Sequence, residues 1–192
     1  MKAHRFSIPL RLACLGILLI STPALAQPYA GVGLGLAVQS VKCAAGSSCR
    51  DNDGGVKLLA GYQVDTAWSA ELAYMRPLRY FTTSDSNGAQ TWGGRYDVKV
   101  VGVSTGYSFA TENGQKWQAR LGLAQVRASF ASTTAGVSNA SANSVQPLIG
   151  FGTRKNLNSD LMVRLDVDVT RSKVLNSSDI FGLVSMSLQQ RF

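Results

Sequence analysis

Seven charged side chains are the residues of this sequence best suited to chemistry. They occur in segments in which every second residue is apolar, and they occupy the positions between the apolar residues. They are Lys57, Glu71, Arg120, Arg154, Arg164, Asp166 and Asp168. Carboxylates that share a closed space with cations can act as acids and bases, or they can bind those cations as ion pairs. Because an isolated buried charge costs several kcal/mol, we expect an interior network of salt bridges. The alternative is a narrow path for water or ions, along which the pairs exchange partners.

The same residues give a poor basis for catalysis. Acyl transfer needs a base near neutral pH that activates a serine or a water molecule, and histidine is the usual choice. The one histidine of the sequence, His4, lies in an N-terminal segment that we expect to be removed. We therefore expect no enzyme and no catalytic residue, with a lipid-modifying enzyme as the weaker alternative. Residues 31–35 alternate glycine with apolar residues but lack the continuation of a dinucleotide-binding loop, so we expect no cofactor.

Residues 1–26 have the composition of an export signal. Three cations precede the apolar run 12–20, and residues 24–26 read Ala-Leu-Ala. An apolar run of this length is too short for a membrane-spanning helix, which needs roughly 20 residues. Basic residues, an apolar run and small residues in this order are typical of a cleaved signal peptide. We predict cleavage after residue 26 and an exported domain of residues 27–192.

Cys43 and Cys49 are the only cysteines after the predicted cleavage site, and they lie close together in a polar stretch. In an exported protein this spacing favours a disulfide that closes a small loop, with two free thiols as the alternative. A tetrahedral zinc site needs four ligands, and no histidine follows the cleavage site to complete one. We therefore expect no metal site.

The composition excludes several classes of protein. Of the 192 residues, 45% are hydrophobic and 16% are charged, which is too apolar for a disordered chain and low in charge for a soluble domain. The mean hydropathy of +0.05 and the lack of a long apolar run after residue 26 exclude a bundle of transmembrane helices. The net charge of +8 falls to +5 once the three cations of the signal are removed.

Eight segments show the period-two alternation of half-buried β-strands. They cover residues 29–39, 56–64, 68–75, 96–109, 117–130, 145–154, 161–170 and 180–192. In the fourth segment the apolar phase changes near Lys99, where we expect a bulge. In the fifth segment the phase is unclear beyond Gln125.

Three short turns and four long polar loops alternate strictly between these segments, which leaves both chain ends at the short-turn end. Outer-membrane barrels of bacteria have this order, with short periplasmic turns and longer extracellular loops. The face that carries the charges also carries the glycines, as in the interior of a narrow barrel. We therefore predict an all-β fold, an eight-stranded antiparallel up-and-down transmembrane β-barrel in the cell outer membrane. The alternative is a soluble β-sandwich or a lipocalin-like barrel.

Aromatic residues cluster near the short-turn end of the predicted barrel. They are Tyr29, Tyr62, Trp68, Tyr107, Phe109, Trp117 and Phe192. Aromatic side chains are enriched where a membrane protein meets the lipid–water interface. We expect these residues to form a lipid-facing girdle at the periplasmic interface.

Basic residues are frequent in and beside the long loops. Those that we expect at the outer rim are Arg76, Arg79, Arg95, Lys99, Arg127, Arg171 and Lys173, with Lys42 and Arg50 in the first long loop. Guanidinium groups bind phosphate well, so these residues are candidates to contact lipopolysaccharide. The alternative is loop charge that contacts only solvent. We expect no nucleic-acid partner for a surface-exposed barrel.

Several short motifs are similar to those of a known family. They are Gly-Tyr-Gln-Val at 61–64, Glu71, Arg-Leu-Gly at 120–122, Pro147, Arg-Leu-Asp at 164–166, and the terminal Phe192. The chain resembles the OmpA-like superfamily of small eight-stranded outer-membrane barrels, which includes the OmpA transmembrane domain and the OmpX and Ail type. The resemblance implies that Phe192 is part of the signal read by the barrel-assembly machinery. The chain departs from OmpA at Ser104, where OmpA has a lysine of its interior ion-pair switch, and Gln190 replaces the usual penultimate aromatic residue.

Taken with the resemblance, the sequence predicts a monomeric, non-enzymatic protein of the outer membrane. We expect it to contribute to envelope integrity, or to adhere to a host surface ligand through four extracellular loops. The alternative is a small, low-conductance pore or channel for ions or small solutes.

Overall fold

The computed structural model describes residues 27–41, 43, 45, 49–86, 91–110, 116–174 and 177–192, and every regular element in these ranges is a β-strand. The strands are β1 (Gln27–Gln39), β2 (Asn52–Gln63), β3 (Trp68–Pro77), β4 (Phe81–Ser86), β5 (Thr91–Ala110), β6 (Lys116–Ser132), β7 (Ala140–Asn156), β8 (Leu161–Val174) and β9 (Ser177–Arg191). No helix in the described part of the chain is long and apolar enough to cross a membrane. The predicted signal peptide lies outside the described residues.

The nine strands form one closed antiparallel barrel. Strands that follow one another in the chain are neighbours, β1 also pairs with β9, and β3 pairs with β5 to close the wall. β3 and β4 share one position in this wall, because both pair with β5 and only Leu78, Arg79 and Tyr80 separate them. The wall therefore has eight strands, which confirms the predicted up-and-down barrel.

Short polar side chains fix two of the three short turns. The Asp65 carboxylate accepts hydrogen bonds from the backbone N–H groups of Ala67 and Trp68, both at 2.7 Å. The Asn158 side-chain oxygen likewise accepts from Asp160 and Leu161 at 3.0 and 2.7 Å. Aspartate and asparagine favour turns because their side chains bind the backbone a few residues ahead. The third short turn, near residues 111–115, lies outside the described residues.

In the half of the barrel next to the short turns, the outer face is apolar and the inner face is polar or small. Val32, Leu34 and Leu36 of β1 are exposed on the outside, between glycines that face inward. A side chain at Gly35 would collide with the backbone carbonyl oxygen of Val184 on β9. Glycine is therefore required here, because it lets the two backbones approach closely.

In the half next to the long loops, the polarity of the two faces is reversed. Val98 and Val100 of β5 are buried on the same inner face as Ser104, and β5 pairs with β6 in one unbroken register. The predicted bulge near Lys99 is therefore wrong. The alternation of the fifth segment is unclear beyond Gln125 for the same reason. The strands continue in register there, while the residues that face the barrel interior change from polar to apolar.

Aromatic side chains gather on the outer surface at the short-turn end. The Trp68 and Tyr107 rings lie 5.1 Å apart, and the Trp117 and Phe151 rings lie 5.3 Å apart, measured between centroids. Tyr29 does not belong to this group, because it is 3% exposed and shares the inner phase of the β1 glycines. Its predicted place in a lipid-facing girdle is wrong.

Candidate functional site

Six charged side chains meet inside the barrel at the level of the apolar outer band. They are Lys57 of β2, Glu71 of β3, Arg120 of β6, and Arg164, Asp166 and Asp168 of β8. Each is at most 4% exposed, because the alternation of its strand turns it inward. Three cations face three carboxylates, so these six residues, the charged layer, are neutral as a group.

Lys57 and Arg120 both connect the two aspartates of β8. The Lys57 ammonium lies 2.6 Å from an Asp168 oxygen and 3.1 Å from an Asp166 oxygen. The Arg120 guanidinium donates to the other oxygens, at 2.7 Å to Asp166 and 2.6 Å to Asp168. Both aspartates are therefore held by both of these cations, which compensates the cost of removing the charges from water.

Arg164 joins Asp166 to Glu71 on the opposite wall. Its Nε lies 2.7 Å from Asp166, while its two terminal nitrogens donate to the two Glu71 oxygens, Nη2 at 3.0 Å from Oε1. The Tyr29 hydroxyl also donates to Glu71, at 3.3 Å. A two-point arginine–carboxylate pair fixes geometry as well as charge. The charged layer therefore ties four strands of the wall, β2, β3, β6 and β8, to one another across the lumen.

Glycines on β7 make room for this layer. Gly150 pairs with Asp168 and Gly152 pairs with Asp166 in the β7–β8 register. A Cβ at Gly150 would lie 2.7 Å from both Arg120 Nη2 and Asp168 Oδ1. The inner phase of β7 is therefore small where the charges of β6 and β8 are long, as expected for a narrow barrel.

Arg154, the seventh residue of the predicted network, lies elsewhere. Its guanidinium donates to Gln63 Oε1 and Ser108 Oγ, both at 3.0 Å, near the short-turn mouth of the barrel. It lines a cavity of about 190 Å³ at that mouth, together with Lys116 and Arg191. Tyr29 separates this cavity from the charged layer, since it lines the cavity and donates to Glu71.

A second layer lies above the charged one and consists of buried apolar side chains. Its members, the apolar layer, are Ala37, Met75, Phe81, Tyr96, Val98, Val100, Ala124, Val126, Ala128, Phe130, Leu148, Phe181 and Leu183. Phe81, Phe181 and Leu183 are almost fully buried, so they fill the lumen toward the long loops. This layer is not predicted from the sequence, because there the apolar residues of each alternating segment are placed on the outer face of the barrel.

Three of the predicted rim residues lie together on the outer wall. Lys99 of β5 pairs directly with Arg127 of β6, and the Lys99 ammonium lies 3.8 Å from Asp97. Arg76 of β3 contacts the same Asp97 at 4.0 Å. Arg76, Lys99 and Arg127, the basic wall patch, begin where the apolar outer face of β5 ends at Val101.

The other predicted rim residues lie at two further places. Arg79 and Arg95 line a depression beside the β3–β4 interruption, whereas Arg171 and Lys173 belong to β8 on another side of the barrel. Phe192 follows β9 and donates its backbone N–H to the Pro28 carbonyl at 3.0 Å, at the short-turn end.

The predicted disulfide is present. Cys43 and Cys49 are bonded, with their Cα atoms 5.9 Å apart. Directly after Cys49, Arg50 forms an antiparallel bridge with Thr82 of β4, so the chain at Arg50 is fixed against the wall. In the described part of the chain, no group of three or more histidine, cysteine or acidic side chains is placed to hold a metal ion.

Comparisons with known proteins agree with this architecture. A family model described as outer membrane protein beta-barrel domain matches residues 12–187. The comparison with curated protein sequences found no match.

Several solved structures share the fold at low sequence identity. The Neisserial surface protein A (NspA) is 17% identical with a TM-score of 0.62, covering 87% of this chain and 99% of that one. The attachment invasion locus protein Ail of Yersinia pestis, in complex with the heparin analogue sucrose octasulfate, is 15% identical with a TM-score of 0.52, covering 86% and 99%. The N-terminal β-barrel domain of Pseudomonas aeruginosa OprF is 12% identical with a TM-score of 0.50, covering 84% and 97%.

Proposed function

Since this chain belongs to the family of outer membrane protein β-barrel domains, we propose that it is a sealed, non-enzymatic barrel that presents a rigid extracellular surface for binding. The observation that carries this proposal is the filling of the lumen by two successive layers. The charged layer occupies the interior within the apolar band, and the apolar layer occupies it toward the long loops.

The energetics of these two layers support a sealed lumen. An ion that entered the charged layer would have to separate carboxylates and cations that are already paired at 2.6–3.1 Å, and then pass the buried side chains of the apolar layer. Neither step is favourable. The barrel then acts as a mechanically stiff element of the envelope, with its wall strands tied together by buried ion pairs.

The lengths of the strands support a structured surface outside the membrane. A tilted transmembrane strand needs about 9–11 residues to cross the hydrocarbon core. β5 has 20 residues, and β6 and β7 have 17 each, so these strands extend well beyond the membrane. Their extension is packed inside by the apolar layer and is polar outside, which is the pattern of a soluble β-structure. Such a surface holds its side chains in fixed positions for a ligand.

The basic wall patch supports contact with lipopolysaccharide. Lys99 and Arg127 face each other across neighbouring strands, an arrangement that is unfavourable without a counter-ion. They lie just beyond Val101, the last exposed apolar residue on the outer face of β5. Phosphate groups of lipopolysaccharide at this height would compensate the charge, and Asp97 alone offsets it only in part.

A non-enzymatic role is supported by the state of the interior carboxylates. Glu71, Asp166 and Asp168 accept from Lys57, Arg120 or Arg164 and are inaccessible to a substrate. A general base must reach the proton that it removes. Among the non-enzymatic roles we favour adhesion. The Ail protein, whose structure contains a bound heparin analogue, has the same fold and supports this choice.

The second candidate is the low-conductance pore. The cavity at the short-turn mouth favours it, because its lining of Arg154, Lys116 and Arg191 would admit water and anions as far as Tyr29. Conduction beyond that point would require the ion pairs of the charged layer to exchange partners and the apolar layer to open.

Planar-bilayer recording of the refolded full-length chain tests the proposal. We expect no reproducible conductance steps at protein amounts at which a known porin, inserted in parallel, gives many. Heat-dependent migration of the same sample on a gel verifies that the barrel is folded. Reproducible steps of uniform size from the folded protein would support the pore instead.

A further inference from the structure

We propose that the outer wall at the β3–β4 interruption is a binding site for a polyanionic saccharide that carries sulfate or phosphate groups and comes from outside the cell. Its centre is the row formed by Arg50, Thr82 and Arg95, with Arg79 beside it. This site, the arginine groove, lies apart from the basic wall patch. The inference rests on the proposed role of the extracellular surface and names the chemistry of its partner.

The three residues of the row lie side by side on three neighbouring chain segments. Thr82 of β4 pairs with Arg50 on one side and with Arg95 of β5 on the other. Directly opposite residues of antiparallel strands point to the same face, and Thr82 is exposed while Phe81 before it is buried. Both arginines therefore point outward, with their Cα atoms about 10 Å apart.

Among the described residues, the Thr82 hydroxyl acts as an acceptor. The Arg50 backbone N–H donates to Thr82 Oγ1 at 2.8 Å, so the hydroxyl oxygen is an acceptor in this contact. A hydroxyl has one proton to donate as well. An oxyanion above the row would accept from that hydroxyl and from the guanidinium groups on both sides, which are charge-assisted donors.

Within the described ranges, one ion pair with a carboxylate offsets the charge of the groove. Arg79 and Arg95 form no ion pair with any residue in the described ranges. Arg50 lies 3.7 Å from Asp53, whose other oxygen accepts from the Gly54 N–H at 2.6 Å. Three arginines with one partly engaged carboxylate form a site for an anion with several charges. The exposed Tyr80 ring, which also lines the depression, provides an apolar surface for a sugar ring.

The height of the groove favours a ligand from the medium over the phosphates at the membrane surface. On the outer face of β5, Arg95 lies six positions beyond Val101, where the exposed apolar residues end. At about 3.4 Å per residue and a tilt of about 40°, this places Arg95 roughly 15 Å above the apolar band. Lys99, on the basic wall patch, lies roughly 5 Å above the same level by the same geometry.

The Cys43–Cys49 disulfide and the bridge to Thr82 together hold Arg50 in the row. Cys49, directly before Arg50, is bonded to Cys43, and two backbone hydrogen bonds join Arg50 to Thr82, at 3.2 and 3.0 Å. Without this attachment, Arg50 would lose its fixed distance from Arg95, and ordering the loop would oppose binding.

The test measures binding of dextran sulfate, with neutral dextran as the matched ligand control, to the full chain in phosphatidylcholine nanodiscs. We expect dextran sulfate to bind and dextran not to bind. Arg50→Gln and Arg95→Gln should each weaken binding roughly tenfold, the usual effect of one charge-assisted hydrogen bond. Asp53→Asn should strengthen it, since that carboxylate competes for Arg50. Arg171→Gln, the control on β8, should change it less than about twofold.

Three results would overturn the proposal. The first is no binding of dextran sulfate by the wild type. The second is an equal loss in Arg95→Gln and Arg171→Gln, which would indicate net charge without a site. The third comes from nanodiscs that also contain lipopolysaccharide: if the wild type then binds no better than Arg50→Gln, the groove belongs to the membrane's own lipid. None of these results affects the conductance test, so a failure of the groove is distinguishable from a failure of the sealed barrel.

Discussion

Arg164 on β8 and Glu71 on β3 bind each other across the barrel lumen through two hydrogen bonds, although 93 residues separate them in the chain. This pair connects opposite sides of the wall, and Asp166 shares the same guanidinium. Removing one partner of a buried pair is costly because the other charge remains buried without compensation. The pair is therefore the most direct place to measure what the charged layer contributes.

Glu71→Gln should lower the free energy of unfolding by about 3–5 kcal/mol, because the charged layer then carries one excess positive charge. Urea unfolding of the refolded protein in lipid vesicles, followed by tryptophan fluorescence, measures this change. Asp160→Asn, at an exposed short turn, removes the same charge and should change stability by less than about 0.5 kcal/mol. If the two variants unfold at the same urea concentration, the interior ion pairs do not stabilise the barrel.

Gly150→Ala should destabilise the barrel by about 1–3 kcal/mol, since the added methyl group would press on Arg120 and Asp168. The temperature at which the folded form disappears on a gel measures the effect. Gly182→Ala is the control, because the nearest atom to its added Cβ lies at 3.9 Å. If this temperature fell equally in both variants, glycine would be needed in these strands for backbone conformation and not for the space that it leaves for the charged side chains.

Period-two alternation made the barrel and its charged interior predictable from the sequence. Residues such as Lys57 and Arg120 stand on the glycine-bearing phase of their strands, and a narrow barrel turns that phase inward. Alternation does not reveal which cation meets which carboxylate. That depends on the register between distant strands, which placed Arg154 at the short-turn mouth, beside Gln63 and Ser108.

The change of interior polarity was the main feature that the sequence concealed. Val98 and Val100 alternate like lipid-facing residues, but they lie beyond the membrane, where water surrounds the barrel and the apolar side must turn inward. The same two-residue period therefore has opposite meanings in the two halves. Tyr29 was misassigned for a related reason, because an aromatic residue near the interface was taken as lipid-facing despite its inner phase.

Leu183→Ala and Leu188→Ala, on the same strand, separate the two faces in one experiment. Leu183 is fully buried in the apolar layer, and its truncation should cost about 2–5 kcal/mol in urea unfolding because it leaves a cavity. Leu188 is exposed on the lipid side, where acyl chains fill the space, so its truncation should cost clearly less. A larger loss for Leu188→Ala would show that the lumen near Leu183 is not tightly packed.

Lys99→Gln and Arg127→Gln should remove stabilisation by lipopolysaccharide, and in phosphatidylcholine alone neither should destabilise the protein, because each relieves the repulsion between the two cations. Stabilisation by lipopolysaccharide should be lost because each cation of the basic wall patch is expected to bind a phosphate group at the membrane surface. Thermal unfolding in vesicles with and without lipopolysaccharide measures the difference. Lys155→Gln, at the short-turn end of β7, is the matched control. If lipopolysaccharide stabilises all of these variants equally, the basic wall patch contacts only solvent and does not bind lipopolysaccharide.

Reduction of the Cys43–Cys49 disulfide should expose the peptide bond after Arg50 to trypsin. In the oxidised protein this bond is protected, because the Arg50 backbone is hydrogen-bonded to Thr82 and the preceding loop is closed. Closing so short a loop is worth about 2 kcal/mol of chain entropy, so opening it can raise the population of the detached loop, and with it the cleavage rate, by at most about 30-fold.

The matched variant is Cys43→Ser with Cys49→Ser, which should be cleaved after Arg50 as fast as the reduced wild type. Cleavage after Arg79, which no disulfide encloses, gives an internal reference and should keep its rate in every sample. Mass spectrometry of the fragments over time distinguishes the two sites. If oxidised and reduced protein were cleaved after Arg50 at the same rate, the backbone bridge to Thr82 would hold the loop by itself. The disulfide would then have no part in placing Arg50 beside Arg95.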